Sequence, residues 1–138
     1  MAANKSLMLL LDSSAIINGL RLDEQLKYLI TSDCFEELKS MELRLLAENY
    51  FNIGILEIRD ACPSSVQKVL DFLEKLGDKK LSKQDISLIA LAVEFKDCKK
   101  SFEVITDDYG LQNALKILKI PFQAVLQGKV KKAKKWKN

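Results

Sequence analysis

A chain of 138 residues, 48% apolar and 30% charged, has room for one soluble domain with its own core. It carries 22 basic and 19 acidic residues for a net charge of +3, three scattered cysteines and no histidine. The missing histidine removes Ser-His-Asp and Cys-His nucleophilic schemes and the paired-histidine chemistry of metal-independent ribonucleases, so any catalysis here runs on carboxylates, lysines and metal.

Leu7–Leu11 is a short continuous apolar run, as expected of a strand buried on both faces, and Asp12 and Ser13 end it. A helix is expected over Ser14–Leu20, a second strand over Lys27–Thr31 and a helix over Cys34–Lys39. Helical spacing continues through Met41–Phe51 until Gly54 breaks it, and Ile55–Ile58 reads as a strand. Pro63 opens a helix at its first turn, where a missing N–H costs nothing, and Gly77 ends it. Ser82 and Asp85 fit a capping box at the start of a helix over Lys83–Phe95. Glu103–Thr106, Tyr109–Leu118 and Phe122–Leu126 then read as strand, helix and strand. This βα order with helical insertions and no internal repeat predicts an α/β fold, a mostly parallel central sheet with helices on both faces. A binding crevice is expected at the carboxyl ends of its strands, at a topological switch point.

Four separated acidic positions fall where strands or loops run into helices: Asp12, Glu36 or Glu37, Asp85, and Asp107 or Asp108. Each alone has an ordinary explanation as a helix cap or solvated helix surface. Together they differ, because the βα junctions of a parallel sheet lie along one edge. Carboxylates gathered there repel one another unless a cation sits between them. Hard oxygen ligands suit magnesium or manganese rather than zinc, and one or two such ions without histidine suit phosphodiester hydrolysis.

The segments LLLDSSAII, FEEL, LSKQDISLIALA and VITDDYGLQN resemble a PIN-domain nuclease. The resemblance implies a PIN-like three-layer fold and a metal-dependent endoribonuclease. It places the metal-binding and catalytic acids at Asp12, Glu37, Asp85 and Asp108, with Asp107 as a further metal ligand. Glu37 is favoured over Glu36 because Leu38 follows it, and Asp108 over Asp107 because Thr106 and Asp108 fit T-x-D. Ser13, Thr106 and Asn113 are expected to shape the site; for Gln112 and Asn113 the alternative is ordinary polar helix surface. Within PIN proteins, GDKKLSKQDISLIALAVEF and VITDDYGLQNALK are most similar to the NIN-one-binding endonucleases, which mature the 3′ end of small-subunit ribosomal RNA. That likeness implies precursor ribosomal RNA as substrate and ribosome-assembly proteins as partners. Two other readings stay open: a VapC-like toxin ribonuclease, and a catalytically silent PIN module that binds RNA or a ribosomal protein. PIN relatives often dimerise, so a homodimer is one expected assembly, though nothing in the sequence identifies an interface.

The nuclease domain is expected to span residues 1–127, followed by a basic tail over residues 128–138. That tail, GKVKKAKKWKN, holds six lysines and no acid. Lys129, Lys131, Lys132, Lys134, Lys135 and Lys137 are candidate RNA-phosphate contacts, and Trp136 is available to stack on a base. The alternative is a solvated tail. NIN-one-binding endonucleases usually continue past such a segment into a four-cysteine zinc ribbon; this sequence ends at Asn138 without those ligands. Cys34, Cys62 and Cys98 form no CxxC, which predicts reduced thiols in a cytoplasmic protein rather than a disulfide framework or zinc site. No apolar stretch reaches the length of a membrane span, and the N-terminus lacks a signal-peptide core.

Overall fold

The structure, a computed structural model, describes residues 7–77, 81–126 and 129–132. Its organising element is β1 (Met8–Leu11), in which Leu9, Leu10 and Leu11 are all buried whichever way they point. Only a strand covered on both faces buries consecutive residues, which accounts for the unbroken apolar run. Parallel partners flank it: β2 (Lys27–Ile30) on one side and β4 (Phe102–Ile105) on the other. The sheet continues to β3 (Leu56–Ile58) beyond β2 and to β5 (Phe122–Leu126) beyond β4, giving the order β3-β2-β1-β4-β5-β6. All pairings are parallel except the last, where β6 (Lys129–Lys132) runs antiparallel to β5.

The helices are α1 (Ser13–Ile17), α2 (Ser32–Glu36), α3 (Met41–Asn52), α4 (Pro63–Leu76), α5 (Lys83–Asp97) and α6 (Tyr109–Ile117). The chain winds outward from β1 to β3, then returns across the sheet to β4. Among these helices α4 packs on α5, and α5 in turn contacts α2, β1 and β4. The strand order reverses between β1 and β4, so the switch point opens above Leu11 and Ile105, which are paired in register.

The expected α/β architecture is the one observed, with differences at element ends that have local causes. α1 stops at Ile17, short of the expected Leu20, because Asn18 caps it and Gly19 turns with φ +93. α2 begins at Ser32 rather than Cys34, because Thr31 leaves the strand to become its N-cap and accepts from the Cys34 N–H at 3.2 Å. Thr106 likewise falls outside β4 and points into the site. The larger difference is β6. Lys129–Lys132, expected as part of the basic tail, pair with β5 in the same sheet as β1. A lysine-rich segment lacks a buried strand's apolar pattern, but edge strands tolerate lysine. Lys134, Lys135, Trp136 and Lys137 lie outside the described residues.

Candidate active site

Asp12 occupies the N-cap position of α1 with extended backbone, yet its side chain caps no helix N–H. Its Oδ2 instead accepts from Ser14 Oγ at 2.7 Å and from Thr106 Oγ1 at 2.8 Å, across the switch point. Both hydroxyls are oriented from behind: Ser14 Oγ accepts the Asp107 N–H at 3.1 Å and Thr106 Oγ1 the Asp108 N–H at 3.0 Å. Each hydroxyl proton is thereby aimed at the carboxylate. Among the described residues nothing donates to Asp12 Oδ1. Gln112, one turn into α6, steadies this edge by donating to the Thr106 carbonyl at 2.8 Å.

The other acids reach the same place from separate elements. Glu37 is the C-cap of α2, where the helix dipole disfavours a carboxylate, and it accepts a short hydrogen bond from Ser13 Oγ. α2 is held to α5 by the Thr31 and Ser87 hydroxyls, 2.7 Å apart, which fixes Glu37 relative to Asp85. Asp85 closes the capping box expected of it, its N–H bonded to Ser82 Oγ and its Oδ2 accepting from the Ser82 N–H. Asp108 caps α6, with Oδ1 accepting from Gly110 N–H at 2.8 Å and Leu111 N–H at 3.3 Å. A cleft of about 570 Å³ is lined by all four carboxylates, by the hydroxyl-bearing Ser13, Ser14 and Ser82, and by Lys39.

Burial and mutual repulsion set the electrostatics. Asp12 is 4% exposed and Asp85 9%. Burial raises the Asp12 pKa, against the Ser14 and Thr106 hydrogen bonds, and the charges of Asp108 and Glu37 raise it further. Asp85 is pushed up to about 6, first by burial and then by Asp108 and Asp12. An all-oxygen set of carboxylates, in which Asp108 and Glu37 act on Asp12 and Asp108 and Asp12 act on Asp85, fits a hard divalent cation, which would relieve the repulsion. Among the described residues, however, no three acids, histidines or cysteines stand close enough to cage an ion as they are. Hydrogen bonds to neighbouring hydroxyls and helix N–H groups currently hold these side chains.

Not every expected site residue is in the cleft. Glu36 points outward, 70% exposed at its side chain, to pair with Arg44 at 3.3 Å. Asp107, expected as a ligand beside Asp108, does not line the cleft. Its Oδ1 accepts from Val125 N–H and its Oδ2 from Asn18 Nδ2, each at 2.6 Å. Asn113 is exposed on α6 and does not line the cleft, whereas Ser13 lines it and Thr106 donates to Asp12. Ser14 and Lys39 were missed; the hydroxyl two residues after Asp12 was the available signal for Ser14. Cys34 lies buried beneath the site with its thiol pushed up to about 12 by burial, so it is an inert core residue.

A slightly larger groove, about 650 Å³, lies between α1 and α3, lined mostly by apolar residues including Ile16, Ile17, Leu43 and Leu46. Among the described residues no helix is long and apolar enough to cross a membrane.

The chain is similar to known proteins. Residues 9–95 match a family model described as the PIN domain of ribonuclease. The chain is 36% identical over 128 residues to a Methanothermobacter thermautotrophicus protein named endoribonuclease Nob1, covering 92% of this chain and 74% of the relative. Its identity to the Pyrococcus abyssi protein of that name is 33% over 131 residues, covering 94% and 75%. To the one from Methanocaldococcus jannaschii it is 34% over 116 residues, covering 83% and 55%.

Proposed function

Because the chain belongs to the PIN-domain ribonuclease family, we propose that it is a divalent-metal-dependent endoribonuclease that cleaves precursor small-subunit ribosomal RNA near its 3′ end. The observation that carries the reading is one cleft at the switch point lined by Asp12, Glu37, Asp85 and Asp108, in a chain with no histidine to run metal-independent cleavage. These four acids are the proposed ligands, and magnesium or manganese the proposed ion. Bound there, such an ion supplies Lewis acidity, making an attacking water more acidic and offsetting charge on the scissile phosphate.

The chain's own residues do the rest. The Ser14 and Thr106 hydroxyls fix Asp12 through Oδ2, so its Oδ1 is presented without the freedom to rotate away. Ser13 tethers Glu37 across the cleft, holding a side chain that could otherwise extend into solvent. Asp85 and Asp108 are anchored by the helix starts they cap, and rigid elements place a site more tightly than loops do. Lys39 offers a positive charge to a phosphate approaching this acidic wall. The lysines Lys129, Lys131, Lys132, Lys134, Lys135 and Lys137 and the ring of Trp136 supply the proposed grip on RNA, with assembling small subunits in the cytoplasm as the setting.

The test is incubation with small-subunit ribosomal RNA bearing a 3′ extension, with Mn²⁺ or Mg²⁺, beside an Asp85→Asn variant. Metal-dependent cleavage at one site near the 3′ end, lost in the variant, is the expected result. Absence of metal-dependent cleavage of any RNA would overturn the enzymatic reading, and cleavage of transfer or messenger RNA instead would overturn the substrate.

A further inference from the structure

We propose that Asp107 is a positioning residue that fastens the lysine-bearing β5–β6 pair to the catalytic edge, so that RNA held there is delivered to the cleft. The inference rests on the endoribonuclease reading for its substrate, but its geometry is independent of it.

Strand register defines the relation. Leu11, the last residue of β1, is level with Ile105, the last of β4, and Ile105 is level with Gln123, only the second residue of β5. Ala124, Val125 and Leu126 therefore run beyond the edge on which Asp12 and Asp108 stand. β6 accompanies them in the opposite direction, with Lys129 beside Leu126, Lys131 beside Ala124 and Lys132 beside Gln123. The lysine-rich strand thus flanks the part of β5 that projects past the carboxyl edge.

This projection has outrun its pairing with β4. The last backbone bond between them is Thr106 N–H to the Gln123 carbonyl at 3.0 Å. Two residues further on, the Val125 N–H needs an acceptor that β4 cannot supply, because β4 has ended. Asp107 Oδ1 supplies it at 2.6 Å, and as a charge-assisted contact it outweighs a neutral one. The other oxygen takes Asn18 Nδ2 at 2.6 Å, at the end of α1. The Asp107 N–H meanwhile donates to Ser14 Oγ, which donates to Asp12 Oδ2. One residue therefore links β5, α1 and the hydroxyl that aims Asp12. A carboxylate with both oxygens engaged in this way is a bracket. Its immediate neighbour Asp108 lines the cleft.

The experiment compares Asp107→Asn and Asp107→Ala with the wild type and with Asp108→Asn. It measures Mn²⁺ binding to the protein alone, RNA cleavage kinetics, the salt dependence of RNA binding, and hydrogen exchange at the Val125 amide. Asparagine keeps a carbonyl that can accept from Val125, so Asp107→Asn should bind Mn²⁺ within about twofold of wild type and keep KM within about threefold. Asp107→Ala should keep Mn²⁺ affinity, lose protection at Val125, raise KM about tenfold with a smaller change in kcat, and flatten the salt dependence. Asp108→Asn should weaken Mn²⁺ binding by about tenfold or more. Mn²⁺ binding weakened about tenfold in Asp107→Asn would overturn the proposal, since a bracket does not need the charge that a ligand does. An unchanged KM and an unchanged Val125 amide in Asp107→Ala would also overturn it. Should Asp107→Ala fail to fold, the Asp107→Asn measurements decide alone. If the wild type cleaves no RNA, the endoribonuclease reading fails, while Mn²⁺ binding and Val125 exchange still judge the bracket.

Discussion

Two concavities share helix α1, and Ile17 lines both. The groove against α3 is the larger, about 650 Å³ against about 570 Å³ for the cleft at the switch point. Its walls are mostly apolar, and exposed Ile17 and Leu45 remain partly hydrated there. The cleft gathers four carboxylates from four separate stretches of chain, and burial raises the protonation of two of them. Burying a charge is unfavourable unless something compensates, whereas exposing leucine on a surface is ordinary. Volume therefore says less about the two than chemistry does: charges held together in the cleft need a compensation that the apolar groove does not.

The contrast breaks first at Asp12. Asp12→Asn should lower kcat/KM by about 10³-fold or more, some 4 kcal/mol of transition-state stabilisation, with an unchanged circular dichroism spectrum. Retained cleavage would move the chemistry elsewhere. Adjacent glutamates sharpen the comparison at a single step along the chain. Glu37→Gln should cost about 10²-fold in kcat/KM and Glu36→Gln less than about twofold, because only Glu37 lines the cleft.

Protonation separates the regions without removing more than one charge. In the folded protein Asp85 titrates at about 6 against an ordinary 3.8, and Asp12 is also raised. The folded state thus holds more protons than the unfolded chain between those values. The stability linked to these protons is fully present below pH 3.8 and is lost as pH rises through about 6. Measured in chelator, the melting temperature of wild type relative to Asp85→Asn should fall across that window by a few degrees, on the order of 3 °C. A relative rise would contradict the raised Asp85 pKa and its first cause, burial. Leu45→Gln in the other groove gives the smallest effect. Cleavage should stay within about twofold and stability within about 0.5 kcal/mol, as for surface substitutions generally.

Much of this could be read without coordinates because the relevant signals are local. Apolar runs ending at Asp12 and Thr106 marked β1 and β4, Pro63 and Gly77 bounded α4, and Ser82 with Asp85 announced α5. The site divided differently. Capping explains part of Asp85 and Asp108, which cap their helices and line the cleft as well. It does not explain Asp12, whose side chain caps nothing. The resemblance to PIN proteins picked Glu37 and Asp108 from their acidic neighbours. The fate of Asp107 could not be read in this way, since its partners Asn18 and Val125 are 89 residues before it and 18 after it. The strand Lys129–Lys132 was equally hidden, because an edge strand is specified by the backbone it pairs with more than by its own side chains.

The bond from Thr106 to Asp12 spans 94 residues of sequence. Parallel pairing of β1 with β4 must wait for everything between them, because contacts of such separation close late in folding. During synthesis Asp12 is made 94 residues before the Thr106 hydroxyl that will hold it. A growing chain therefore carries its acids dispersed, without an assembled cleft. An RNA-cutting enzyme of this family thus emerges with Asp12 not yet held by the hydroxyl that follows β4.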